Sequence, residues 1–227
     1  MELDRRAETA ALQALAEVAA TGTTFRIISE EVGTVDHGAP YPLVLIDPVD
    51  GSLNAKQGIP IFALMLTLLE GPLVGDARVG FVLNLGTGEE WYAIRGTGAF
   101  RAGRRLNVLP AALEAGIELL GVESSPRSVA RCAPLLQKAE KVRILGSMAL
   151  SVAHTAAGSF DVFVAPFPAR VFDMTASLLL VAESGGLATD LDGVAMAGKS
   201  VGLDSRSPLV VASTERLHRL ALDTLRS

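Results

Sequence analysis

Cysteine occurs once in this chain, at Cys132, so no disulfide can form within it and a reducing compartment is the expectation. The lone thiol lies in an Arg-Cys-Ala-Pro stretch and reads as packing. Long hydrophobic runs are missing as well. The longest, Ile61 to Leu69, is far too short to span a bilayer, and no apolar signal core stands behind Glu2, Asp4, Arg5 and Arg6. Basic charge is not in excess: 20 Lys and Arg stand against 25 Asp and Glu, a formal net charge of -5, which argues against a general nucleic-acid binder. The three histidines, His37, His154 and His218, are scattered without ligand spacing. Internal repeats, low-complexity tracts and long linkers are also absent. These absences leave the expectation of a soluble, cytoplasmic protein with neither membrane nor nucleic acid as partner.

What is present is apolar and regularly punctuated. With 227 residues, 49% hydrophobic and 20% charged, the chain can bury a substantial core as one large domain or two small lobes. Leu3, Ala7, Ala11, Leu15 and Val18 recur at helical spacing and predict a helix over Asp4–Ala20. Phe25–Ile28 reads as a short strand ending at the acidic pair Glu30-Glu31. A polar turn through Gly33, His37 and Gly38 is expected before a buried strand, Leu43–Ile46, that ends at Asp47. Ile61–Leu69, Ala77–Leu85 and Glu89–Ile94 read as strands, with a further hairpin punctuated by Gly96, Gly98 and Gly103. Beyond residue 113 strands (117–122, 142–145, 161–164, 208–212) alternate with helices (128–139, 147–157, 173–183, 214–225). The reading is an antiparallel-rich first half and an α/β second half packed in layers. It divides at 1–112 and 113–227 within one compact unit.

The strongest local signal is Asp47-Pro48-Val49-Asp50-Gly51-Ser52, which follows a buried strand. Pro48 fixes a turn and Gly51 permits close backbone approach, so two carboxylates three residues apart can aim at one spot. Two like charges about 4 Å apart repel by roughly 4 kcal/mol at an effective dielectric near 20. A cation or a shared proton must offset that cost. Oxygen donors without His or Cys favour Mg²⁺ over zinc. The N–H groups of Gly51 and Ser52 could add an anion site beside the metal. The blander alternative is that Asp47 and Asp50 only cap a turn, as Asp-Pro and Asp-Gly commonly do. Asp173, opening an apolar helix, reads by itself as an N-cap. Glu89-Glu90 reads as a solvated hairpin edge, and Asp190 and Asp192 as turn chemistry.

Five segments in order resemble the inositol monophosphatase superfamily, and most closely its archaeal-type inositol monophosphatase/fructose-1,6-bisphosphatase members. They are Ile28-Ser29-Glu30-Glu31, Asp47 to Asn54, Gly96-Thr97-Gly98-Ala99-Phe100, Arg143 to Asp161 with Gly146-Ser147, and Phe172-Asp173 through Glu183-Ser184-Gly185-Gly186. The resemblance implies the layered αβαβα sugar-phosphatase fold and a phosphoric monoester hydrolase. Inositol 1-phosphate or fructose 1,6-bisphosphate would be cleaved by in-line attack of metal-activated water. It implies Glu30, Asp47, the Val49 carbonyl, Asp50 and Asp173 as ligands of two Mg²⁺ ions, Asp47 bridging them. Asp4, in an Asp-x-x-x-Glu element with Glu8, would serve a third ion. Mn²⁺ would substitute, Li⁺ and Ca²⁺ would inhibit, and a homodimer is expected.

In that frame Glu30 positions the water, Ser52 orients it, and Gly51 and Ser52 hold the phosphate. Glu31 is read as orienting Glu30 or a water, and Lys56 as lying near the phosphate loop. The chain departs from the family pattern in two places. It begins almost on the Asp4 element, and the stretch Val164–Arg170 has no acid where the animal enzymes contact inositol; Arg170 is the candidate substrate contact there, with Asp173 beside it. Two alternatives of function follow: a catalytically silent family member serving as a binding or regulatory subunit, and an adenosine 3′,5′-bisphosphate phosphatase.

Overall fold

Side chains that alternate along each strand decide where the layers meet. The computed structural model describes residues 2–106 and 116–226. Helix α1 (Glu2–Ala20) leads into strands β1 (Phe25–Ser29) and β2 (Gly33–Asp50), and the short helix α2 (Ser52–Gln57) follows the end of β2. Strands β3 (Ala63–Leu69), β4 (Ala77–Asn84), β5 (Glu90–Ile94), β6 (Gly98–Arg101) and β7 (Arg104–Arg105) complete a seven-stranded sheet in chain order. From β2 onward its neighbours are antiparallel. The second sheet has five strands in the order β11-β12-β10-β8-β9: β8 (Ile117–Val122), β9 (Ala139–Arg143), β10 (Val162–Arg170), β11 (Leu187–Thr189) and β12 (Arg206–Ala212). It is mixed, with β8 parallel to β9 and β10 while β12 runs antiparallel to β10 and β11.

Three cores follow from the alternation. Val44 and Ile46 of β2 join Phe25 and Ile27 of β1 under Ala11, Leu12, Leu15 and Ala19 of α1. Their neighbours Leu43 and Leu45 point the other way, into the largest core. There they meet Met65, Trp91, the helices α4 (Met148–Ala156) and α5 (Thr175–Ser184), and the inner residues Phe163, Ala165, Leu209 and Val211 of the second sheet. The outer residues Val162, Val164, Val210 and Ala212 pack with Leu135 of α3 (Ala133–Lys138) and Leu217, Ala221 and Leu222 of α6 (Glu215–Arg226). The order is helix, sheet, helix pair, sheet, helix pair. Both sheets are covered on both faces, which is why Leu43–Ile46 is a continuous apolar run. Cys132 is buried in the outermost core, and burial pushes its thiol up to about 11, as its reading as packing requires.

The structure corrects several sequence expectations. The segment through Gly33, His37 and Gly38 is strand rather than turn, because β1 is paired on two edges: Ile27 faces Val35 across one and Val44 across the other. The turn is instead at residues 30–32 and carries Glu30. In α1 the face toward the sheet holds Asp4, Glu8, Ala11, Leu12, Leu15 and Ala19, while Leu3 and Val18 are exposed. Polar partners for Asp4 and Glu8, absent from any hydropathy pattern, rotate the helix onto that face. The helix expected over 128–139 is a 3₁₀ turn, Val129–Cys132, followed by α3, and its strand is Ala139–Arg143. The boundary expected at 112/113 lies outside the described residues.

Helix α5 comes close against the first sheet at Gly80 of β4. A Cβ there would lie 2.6 Å from the Ala176 carbonyl oxygen and 3.1 Å from its Cα. Gly80→Ala should therefore lower stability by about 1–3 kcal/mol, the ordinary cost of overpacking. Urea unfolding with an unchanged midpoint would show that α5 yields freely.

Candidate active site

Residues three apart on a regular strand point to opposite faces. Asp47 and Asp50 escape that rule because β2 carries an irregularity between them. Asp47 lies opposite Met65 and Asp50 opposite Ala63, three steps on β2 against two on β3. The extra residue, at Pro48-Val49, is a bulge that leaves both carboxylates within electrostatic reach of each other. Asp47 is buried, and its carboxyl is pushed well above the usual range, first by burial and then by the charges of Asp50, Asp173 and Glu30. Glu30 arrives from the β1–β2 turn and Asp173 from a 3₁₀ turn, Phe172–Met174, that enters α5. Acids from three segments remote in sequence thus act on Asp47.

Asp50 is held by the start of α4. Its Oδ2 accepts the Ser147 hydroxyl and, at 2.9 Å, the Ala149 N–H. Ser147 is also the N-cap of α4, accepting from the Leu150 N–H at 3.2 Å. Burial raises Asp50 to about 7 in spite of these donors. Sequence reasoning placed Ser147 in a motif without seeing this role; the available signal was a Ser directly before an apolar helix.

Asp173 is not a helix cap. The N-cap of α5 is Met174, which makes no side-chain cap, and Asp173 Oδ2 instead accepts from Arg170 Nε at 2.8 Å. The same guanidinium donates through Nη1 to Glu30 Oε1 at 2.5 Å. Burial raises the Asp173 carboxyl, with the Arg170 charge opposing it.

Helix α1 closes the opposite side. The Ser52 hydroxyl lies 2.8 Å from the Val49 carbonyl oxygen and 3.1 Å from Asp4 Oδ1, and these acceptors share its one proton. Asp4 is buried; burial raises its carboxyl, but hydrogen bonds, that from Ser52 among them, bring it below the usual range. One turn on, Glu8 Oε1 accepts the Ser29 hydroxyl and, at 3.0 Å, the Val32 N–H, which ties α1 to the turn bearing Glu30. Gly51 has a φ of 89°, and a Cβ there would lie 3.0 Å from the Ile61 oxygen and 3.1 Å from the Gly146 oxygen. No other residue type fits without strain. Asn54 Nδ2 donates to the carbonyls of Ile61 (2.8 Å) and Leu145 (2.7 Å), fastening α2 to the segment that leads into α4.

Other motif residues have structural partners. Glu183 accepts the Gly96 and Gly98 N–H groups at 2.9 and 3.0 Å, so two of the sequence segments buttress each other. Glu89 pairs with Arg101, and Asp190 accepts the Asp192 and Val194 N–H groups and pairs with Lys199. Glu31 and Lys56 are exposed.

The donor chemistry fits a hard divalent cation. Every candidate ligand is oxygen, and Asp173 Oδ1 is buried with no hydrogen-bond partner. Among the described residues, however, no three acidic, His or Cys side chains stand close enough together to hold an ion as they are placed. The reason is local: Glu30 and Asp173 are engaged by Arg170, and Asp50 by Ser147 and Ala149.

The buried acids make the metal-free protein pH-sensitive. Asp50 holds its proton up to about 7 when folded, against about 3.9 in an unfolded chain. Its contribution to stability is complete below the lower value and is lost as pH rises through the higher one. In EDTA the melting temperature should fall between about pH 4 and about pH 7, less steeply in Asp50→Asn. A flat or rising profile in the parent protein would contradict this electrostatic picture.

The whole chain, residues 1–227, matches the model of the inositol monophosphatase family. A fructose-1,6-bisphosphatase/inositol-1-monophosphatase of Archaeoglobus fulgidus is 33% identical over 98% of this chain and 82% of its own. An inositol-1-monophosphatase of Mesorhizobium japonicum is 31% identical over 99% and 82%. Among solved structures, the Thermotoga maritima IMPase superposes with a TM-score of 0.79 at 26% identity, covering 96% of this chain and 81% of that one. Matched end to end in sequence and layer for layer in fold, the chain belongs to the inositol monophosphatase family and is a phosphoric monoester hydrolase.

Proposed function

We propose that this phosphatase depends on a divalent cation, Mg²⁺ first, and hydrolyses small sugar or polyol phosphate monoesters, with inositol 1-phosphate and fructose 1,6-bisphosphate the leading substrates. The observation that carries the reading is the convergence of Asp50, Asp173 and Glu30 on the buried Asp47, whose carboxyl their charges raise. The names of the Archaeoglobus and Mesorhizobium relatives support the substrate class.

In this reading Glu30, Asp47, the Val49 carbonyl, Asp50 and Asp173 are the residues that would hold the cations, and Asp4 would serve a further one. When bound, the cations neutralise phosphate charge and make water a better nucleophile at neutral pH. The protein's own contribution is placement. The bulge at Pro48-Val49 aims Asp47 and Asp50 together, and Ser147 with the Ala149 N–H fixes the Asp50 carboxylate. Glu30, at the mouth of the pocket, positions the attacking water. Ser52 already has its hydroxyl between the Val49 carbonyl and Asp4, so it can orient that water by exchanging one acceptor. Gly51, packed at positive φ against the Ile61 and Gly146 carbonyls, would offer its N–H, with that of Ser52, to phosphate oxygens. No acid stands in Val164–Arg170, so Arg170 is the polar contact for a hydroxyl or second phosphate. The family's homodimer is retained as part of the proposal, and residues 1–112 and 113–227 are read as two lobes of one catalytic unit.

Phosphate release should require Mg²⁺ and stop in EDTA, across a panel of inositol phosphates, fructose 1,6-bisphosphate and adenosine 3′,5′-bisphosphate. Asp50→Asn should lose about 10³-fold in kcat/KM, matching several kcal/mol of charge stabilisation. Metal binding without turnover on the whole panel would favour a silent binding subunit instead. Ser147→Ala should raise the Mg²⁺ concentration for half-maximal rate by about tenfold while changing kcat less, as expected for a group that orients a ligand. An unchanged Mg²⁺ dependence would remove Ser147 from the mechanism.

A further inference from the structure

One cation already bridges two of the four acids. The Arg170 guanidinium spans Glu30 and Asp173 with two charge-assisted hydrogen bonds, at 2.5 and 2.8 Å. Such forks are about twice as strong as neutral hydrogen bonds. A guanidinium also cannot shed its charge to make way, so the two carboxylates are released only if the side chain moves. Both partners are partly exposed, Arg170 at 29% and Glu30 at 34%, and Glu30 lies on the turn at residues 30–32, which leaves the side chain a path out. Arg206 provides an internal comparison. It faces Arg170 across the β10–β12 pair and its charge reaches Asp173, yet its own hydrogen bonds go to the Leu203 and Ser205 carbonyls.

We infer that Arg170 is the resident counter-cation of the site: it pairs Glu30 and Asp173 in the metal-free protein, is displaced when a divalent cation enters, and so sets metal affinity by competition. The inference rests on the reading of Glu30 and Asp173 as metal ligands. It assigns Arg170 a task before any substrate contact. The arginine keeps the acids gathered while the metal is away, and is returned to the pocket mouth, free for an anionic substrate, once the metal is bound. Arg170 is thus a positioning residue for the metal as well as a candidate substrate contact.

The test is Mn²⁺ titration by calorimetry of metal-stripped parent protein, Arg170→Gln, Arg170→Lys and Arg206→Gln, with melting temperatures in EDTA and in saturating Mn²⁺. Arg170→Gln should bind Mn²⁺ about tenfold more tightly, the equivalent of one lost charge-assisted competitor. It should also melt below the parent in EDTA, and the gap should close in Mn²⁺. Arg170→Lys, which keeps the charge but not the fork, should fall between the two. Arg206→Gln should stay within about twofold of the parent, since it removes charge without a competing bond. Unchanged or weaker Mn²⁺ binding by Arg170→Gln would overturn the inference, as would equal tightening by Arg206→Gln. If Arg170→Gln does not fold without metal, Arg170→Lys decides alone, and an unchanged affinity overturns it. A parent protein that binds no Mn²⁺ would overturn the metal-ligand reading itself, a result distinct from binding that ignores Arg170.

Discussion

Like charges brought out of water repel, and the site is organised around that cost. Asp47, Asp50 and Asp173 are each pushed toward the protonated form, with burial the largest cause. The fold tolerates them because each has a hydrogen-bond donor. Asp47 accepts the Val49 N–H at 3.2 Å, Asp50 takes donors from the start of α4, and Asp173 shares a guanidinium with Glu30. A site that holds acids in this way is poised for cations, whether a side chain's or a metal's, since either replaces protons as the balancing charge.

The compensation is available only because elements from both ends of the chain meet there. The first sheet supplies Asp47 and Asp50 at the end of β2 and Glu30 at the preceding turn. The second supplies Arg170 at the end of β10 and Asp173 where that strand passes into α5. The helix pair α4 and α5 fills the space between the sheets, so its N-terminal ends stand beside the carboxylates. Helix α1 contributes Asp4 and Glu8 from the far side.

Much of this was legible in the residues. The short acidic motif after Leu43–Ile46 pointed to the end of a buried strand, and the ordered segments from Ile28 to Gly186 pointed to the family. Other features were not legible. Asp173 reads as an N-cap because its local sequence is that of a helix start, and only the position of Arg170 shows otherwise. The strand at Gly33–Pro42 was hidden because its polar composition suits a turn; pairing to both edges of β1 makes it strand. In α1 the spacing of Leu3, Ala7, Ala11, Leu15 and Val18 was right for Ala11 and Leu15, which pack on the sheet, and wrong for Leu3 and Val18, which the hydrogen bonds of Asp4 and Glu8 turn out to solvent.

By itself the sequence determined the layered class, through strand and helix periodicity, and the kinds of donor that the site contains, because oxygen ligands and close-approach glycines are properties of residue type. Tertiary structure decided which acids share a charge environment and what balances them. Hydrogen bonds between residues 140 positions apart, such as Arg170 to Glu30, depend on two sheets arriving at one place. No local pattern encodes that arrival, since it is set by how three separate cores pack.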